Sequence, residues 1–187
     1  MDTFKELLLK RQSDRKYSSK KVEEEKVLAC IEAARLSPSA CNSQPWSFVV
    51  IDSEPILQQA QRRIATMGMN RFVKQVPCLI AIVLEKANFT ASIGCVIKDK
   101  EYPLLDIGIA ANNMCMQASE LGLGSCILGW FDEKGLKKLI DVPDNKRIPL
   151  VIALGYPATI TRKKIRKPLK DIVHFNSYMR NEKKIEL

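Results

Sequence analysis

Seven consecutive apolar residues, Cys78-Leu79-Ile80-Ala81-Ile82-Val83-Leu84, constrain the fold of this chain more than any other stretch. A run without polar alternation suits a β-strand buried on both faces. Such a strand has to lie inside a sheet with packing layers on either side. Residues 47–51, 125–130 and 147–154 are mostly apolar and read as companion strands. Helical patterns separate them. Thr3-Phe4-Lys5-Glu6 has capping-box spacing and opens a short helix that ends near Arg11. Residues 22–36 place Val27, Leu28, Ile31 and Ala34 on one face behind the acidic first turn Glu23-Glu24-Glu25, and Pro38 stops the pattern. Two further helices are predicted over residues 55–67 and 133–140. Strands alternating with helices predict an α/β or α+β domain around a central sheet of four or five strands.

The longest helical pattern covers residues 104–121 and carries many small or flexible side chains: Ala110, Ala111, Met114, Met116 and Ala118. Small residues permit close helix approach and methionine fills irregular gaps, so this is either a central core helix or a subunit interface. Gly122 and Gly124 are expected to cap it and to turn the chain tightly into the next strand. Residues 85–102 lack periodicity, and an irregular segment of that length within a domain is expected to be a lid or binding loop. After Gly155-Tyr156-Pro157 the chain becomes basic and loses periodicity, which predicts an extended C-terminal arm ordered by docking. The length of 187 residues suits a single domain spanning residues 1–187, and no internal repeat is present.

The composition excludes several chemistries. A single histidine, His174, leaves little material for a zinc site or a Cys-His nucleophile, and the six cysteines at positions 30, 41, 78, 95, 115 and 126 include no pair at two-residue spacing. They read as buried, reduced thiols. No GxxxxGK[ST] phosphate loop occurs, and Gly122-Leu-Gly-Ser-Cys-Ile-Leu-Gly129 lacks the glycine spacing of a dinucleotide fingerprint and follows a helix. The charged start MDTFKELLLKR is unlike a secretion signal and no apolar run reaches about 20 residues, so a cytoplasmic protein without membrane association is expected. The sequon Asn88-Phe89-Thr90 is accordingly read as chance. A formal charge of +9 points to an anionic partner. Its cations cluster at two places, Arg11 to Lys21 and Arg162 to Lys170, with no zinc module and no interleaved aromatics. A basic nucleic-acid-binding module stays as an alternative supported by charge alone.

Pro38-Ser39-Ala40-Cys41-Asn42-Ser43-Gln44-Pro45-Trp46-Ser47-Phe48 concentrates hydrogen-bonding side chains between two prolines. It looks like a stiff ligand-holding loop. Taken alone, it favours a helix-to-strand connection in which Ser39 and Asn42 satisfy their own backbone and Trp46 begins a core strand.

Four segments in order, Arg11-Gln12-Ser13-Asp14-Arg15, the Pro38 loop, Gly122-Leu-Gly, and Gly155-Tyr-Pro followed by Arg166-Lys-Pro-Leu, together resemble the flavin-dependent nitroreductase family over nearly the whole chain. The resemblance implies an α+β fold with a central mixed four- to five-stranded sheet flanked by helices, an intertwined homodimer with an extended C-terminal arm, and FMN at the subunit interface. By resemblance, Arg11 and Ser13 belong to the phosphate side and Arg15 reaches toward the pyrimidine side of the flavin; Gln12 is counted with the cofactor-binding residues, with a solvated basic turn as its alternative. Pro38, Ser39, Asn42 and Gln44 touch the flavin from the partner subunit, and Leu128 and Gly129 approach its ring. Arg166, with Lys164 as companion, is assigned to the phosphate; the two stand at alternate positions, which on an extended arm share one side. Residue chemistry agrees, since arginine grips a phosphate through two parallel hydrogen bonds. Trp46 and Cys41 are expected to pack rather than to act.

The implied activity is transfer of hydride from NADH or NADPH through flavin N5 to an electron-poor small-molecule acceptor, a nitroaromatic or a quinone, by a ping-pong cycle. No catalytic side chain and no metal are assigned. A flavin-dependent dehalogenase or flavin-modifying relative on the same fold is the alternative. The region between the third helix and the Met-rich helix is shorter than in longer family members, which leaves the acceptor open.

Overall fold

A computed structural model describes residues 3–86 and 100–178. The seven-residue apolar run is a strand over its full length. In chain order the elements are α1 (Phe4–Lys10), α2 (Glu24–Arg35), β1 (Trp46–Ile51), α3 (Ile56–Ile64), β2 (Cys78–Leu84), α4 (Tyr102–Glu120), β3 (Gly124–Leu128), α5 (Glu133–Leu139) and β4 (Arg147–Gly155). The strand order is β1-β2-β4-β3, so β2 and β4 are the inner strands. All three pairings are antiparallel. The sheet is therefore antiparallel and not mixed as expected; the parallel pairing among the described residues is an isolated bridge between Ser13 and Ser125.

Both faces of β2 are covered, as its sequence requires. Leu79, Ala81 and Val83 pack with Leu57, Ala60 and Ile64 of α3 and Leu136 of α5. Cys78, Ile80 and Ile82 pack with Val27, Cys30 and Ala34 of α2 and Ile107, Ala110 and Met114 of α4. Each large side chain buried this way stabilises the fold by about 1.5–3 kcal/mol. Trp46 is buried in the second cluster and is core, as expected. Burial pushes the thiols of Cys30 and Cys78 up to about 12.

Local signals act where they were expected. Thr3 N–H donates to the Glu6 carboxylate at 2.7 Å and Glu6 N–H to the Thr3 hydroxyl at 3.3 Å, closing the capping box. Gly122, at φ +75°, ends α4 in a Schellman turn: its N–H reaches Ser119 O at 3.2 Å and the Leu123 N–H reaches Ala118 O at 2.8 Å. Helix α4 starts at Tyr102, two residues earlier than its periodicity suggests, because Pro103 is tolerated in a first turn where its missing N–H costs nothing.

Cys41 is exposed, not a buried packing residue, because it belongs to a 3₁₀ turn (Ala40–Asn42) on the surface and holds a left-handed backbone at φ 52°. Most of the expected lid, residues 87–99, lies outside the described residues. No helix among the described residues is long and apolar enough to cross a membrane.

Candidate functional site

The two basic clusters, about 150 residues apart in sequence, meet. Arg11, Gln12, Ser13 and Arg15 from the segment after α1, and Arg162, Lys163, Lys164, Ile165 and Arg166 from the C-terminal arm, line one cleft of about 390 Å³. Among the described residues no carboxylate lines it. The first segment is held rigidly: Asp14 N–H donates to Ser125 O at 2.9 Å, the Tyr17 hydroxyl donates to Asp14 O at 2.9 Å, and Ser18 N–H donates to Tyr156 O at 3.0 Å. The arm leaves β4 beside it, with Tyr17 bridging Pro157 and Ala158 N–H donating to Lys16 O at 3.0 Å.

The charge balance inside the cleft is one-sided. Burial drives the Lys164 ammonium below the usual lysine range, and the neighbouring Arg11 and Arg166 cations add to this. Its Nζ donates to the Arg11 carbonyl. Behind the cleft, burial raises the Asp14 carboxyl above the ordinary carboxylate range, opposed by the hydrogen bond from Gln12. Dense cations with few counter-charges form a receptor for a compact polyanion, and the Ser13 side chain adds a hydroxyl donor.

The Pro38 loop lies elsewhere. Ser39 Oγ accepts from Gln44 N–H at 2.9 Å, and Gln44 Nε2 donates to Asn42 Oδ1 at 3.1 Å, so the loop does satisfy part of its own backbone. Cys41, Asn42 and Gln44 all have positive φ, between 46° and 52°. Asn tolerates that region, whereas Cys and Gln at positive φ each carry strain of about 1–3 kcal/mol that the surroundings must hold. Pro38, Asn42 and Gln44 are exposed and Ser39 is half-buried.

Sequence reasoning missed what holds this loop. Asp106 is buried on α4, and its carboxylate accepts from the N–H of Ala40, the free donor that opens the 3₁₀ turn. Asn113, two turns further along α4, donates to Ser37 Oγ at 2.8 Å. A polar residue within a helix of small apolar residues was the available signal.

Helix α4 also measures the separation. A second, smaller cavity lined by Arg11, Gln12 and Asp14 is closed by Ser119 at the far end of α4, while the loop is held at Asp106. Thirteen residues of helix at 1.5 Å each put roughly 20 Å along the axis between these anchor points. Leu128 ends β3 at the opposite end from Gly124 and is buried, and Gly129 just after it is exposed beside Leu150. The structure therefore gathers Arg11, Gln12, Ser13, Arg15, Lys164 and Arg166 and leaves Pro38, Ser39, Asn42 and Gln44 as a separate exposed wall.

The family model "Nitroreductase family" matches residues 8–156, which takes in the first basic segment, the loop and the whole sheet. A putative NADH dehydrogenase/NAD(P)H nitroreductase of Archaeoglobus fulgidus is 28% identical over 165 residues, covering 84% of this chain and 87% of that protein. An iodotyrosine deiodinase of Thermotoga neapolitana is 24% identical over 189 residues, covering 95% of this chain and all of the relative. Among solved structures, an FMN-dependent nitroreductase from Clostridium difficile superposes with a TM-score of 0.75 at 29% identity, covering 92% of this chain and 98% of that one. With the sheet, the loop and helices α2 to α5 inside the matched region, the chain belongs to the nitroreductase family.

Proposed function

We propose that this protein is a cytoplasmic FMN-dependent NAD(P)H oxidoreductase acting on an electron-poor small molecule. The cleft lined by Arg11, Ser13, Arg15, Lys164 and Arg166 carries the proposal: it is cationic, has no lining carboxylate among the described residues, and holds a lysine whose charge is disfavoured by burial and then by its neighbours. A phosphate monoester dianion fits that donor set, with arginine and lysine supplying charge-assisted bonds and Ser13 a neutral one. When bound, FMN supplies a two-electron carrier that takes hydride from a nicotinamide and passes it to the acceptor. The chain's own residues hold the phosphate, and Arg15, exposed at the cleft's edge, is placed to favour negative charge beyond the phosphate. NADH or NADPH and then the acceptor use the same open face in turn.

The Pro38, Ser39, Asn42 and Gln44 wall belongs to a site completed by a second copy of the chain. Its distance from the cationic cleft along α4 supports that assignment, because one chain offers the two walls apart. Helix α4 exposes Leu105 and Ile109, and exposed Phe4 of α1 and Leu36 after α2 line a groove with Met116 of α4, apolar surface suited to a homodimer. Leu128 and Gly129 then contribute backbone beside the ring.

The likeness to the T. neapolitana deiodinase supports reductive dehalogenation as a second reading on the same cofactor. Purified protein is expected to be yellow and to release FMN on denaturation, with NADH or NADPH oxidation that depends on an added acceptor. Faster turnover with a halotyrosine than with nitroaromatics or quinones would select the second reading. A colourless protein that binds no added FMN would end both.

A further inference from the structure

We propose that Gln12 is a positioning residue, a clasp that docks the C-terminal arm against the Arg11–Ser13 backbone and so assembles the anion cleft from its two halves. This deepens the FMN reading and rests on it for the identity of the anion. The side-chain amide of Gln12 uses its full capacity of four hydrogen bonds. Its Nε2 donates to Asp14 Oδ1 at 2.9 Å and to Ile160 O at 3.3 Å, and its Oε1 accepts from the backbone N–H of Arg162 at 3.1 Å and from Arg162 Nε at 3.2 Å. An amide has two donor hydrogens and two acceptor lone pairs, so none is left for a ligand. Its orientation is forced: the two acceptors, Asp14 and Ile160 O, face the amino group, and the two donors of Arg162 face the oxygen.

These bonds span 148 and 150 positions of sequence. They fall where the arm has little else. Ile160 and Ile165 are 88% and 90% exposed, so apolar burial does not dock this part of the arm. Arg162 Nη2 also donates to Ser13 O at 3.0 Å and Lys164 Nζ to Arg11 O, so the arm crosses the first segment through polar bonds that centre on Gln12. At the other end the clasp is fixed to the sheet. Asp14 is buried, its N–H is bonded to Ser125, and its carboxylate lies against Gly124. Position therefore passes from the start of β3 through Asp14 and Gln12 to Arg162, and the arm then carries Lys164 and Arg166 into the cleft opposite Arg11.

The test is Gln12→Ala and, from the arm side, Arg162→Ala, alone and combined; Arg162 is exposed, so its loss spares the core. Trypsin digestion of the flavin-free proteins reads arm docking without any cofactor. Titrations with FMN and with riboflavin, which lacks the phosphate, read cleft assembly. Each single variant is expected to speed cleavage after Lys163, Lys164 or Arg166 and to weaken FMN about tenfold, a loss of charge-assisted contacts, with riboflavin affinity unchanged. The double variant should be no worse than the worse single one. Equal losses for FMN and riboflavin, or unchanged FMN affinity, would overturn the clasp. If the unaltered protein bound no FMN, the cofactor reading would fall, and unchanged arm cleavage would still overturn the clasp separately.

Discussion

The backbone N–H of Ala40 donates to both carboxylate oxygens of Asp106, at 3.2 and 3.1 Å, across 66 positions of sequence. One buried acid on α4 thereby holds a loop whose Cys41, Asn42 and Gln44 occupy the left-handed region. Asp106→Ala is expected to leave the Ala40 N–H unpaired and to cost about 1–3 kcal/mol, measured by urea denaturation. Asp106→Asn keeps an acceptor oxygen and should lose less. An alanine variant as stable as the parent would show that the contact holds nothing.

Gly124 is a steric requirement. A Cβ built there would lie 2.8 Å from Asp14 Oδ2 and 2.9 Å from Cγ. Asp14 cannot swing away freely, because its own N–H is bonded to Ser125. Gly124→Ala should therefore cost about 1–3 kcal/mol, the usual range for overpacking. Combined with Asp14→Ala, the loss should be smaller than the sum of the two single losses, checked by a double-mutant denaturation cycle.

Acid stability should depend on Glu23. The Tyr156 hydroxyl donates to Glu23 Oε2 at 2.6 Å, and Lys20 Nζ stands 3.0 Å from Oε1. These contacts, led by the tyrosine bond, lower the Glu23 carboxyl from 4.5 to about 2. A depressed carboxylate contributes stability that is complete above its unfolded value and lost as pH falls from 4.5 toward about 2. The destabilisation caused by Tyr156→Phe should thus shrink as pH falls through that window. Thermal melts of both proteins at a series of pH values measure it, and a constant difference would refute it.

Phosphate recognition should be separable from ring recognition. Arg11→Ala or Arg166→Ala is expected to weaken FMN about 10- to 100-fold, the loss of a charge-assisted bond to phosphate, and to leave riboflavin binding intact. Added salt should weaken FMN more than riboflavin. Because the free Lys164 ammonium is driven down, alkaline pH should release its proton early and reduce FMN affinity further. Isothermal titration across pH and ionic strength checks all three effects.

Much of the scaffold is legible along the chain. The Cys78–Leu84 strand, the Thr3–Glu6 capping box and the Gly122 turn each depend on a few neighbouring residues, so their residue types suffice to announce them. The basic character of Arg11, Arg15, Lys164 and Arg166 is equally local. Gln12 shows the limit. Its residue type suits a ligand contact as well as a clasp, and only the position of Arg162 distinguishes them. Asp106 is similar: within its helix it is one polar residue among apolar ones, and its partner is an N–H contributed by a loop before β1.

The sequence by itself determined which segments become strands and which become helices, and that cations gather at both ends of the chain, because periodicity, capping and charge are carried by residues near one another. Tertiary structure alone decided the strand order, the meeting of the two basic segments in one cleft and the distance of the Pro38 loop from it. Those relationships join residues far apart in the sequence, 66 positions for Ala40 and Asp106 and 150 for Gln12 and Arg162, and hydrogen bonds of that range leave no local periodicity in the chain.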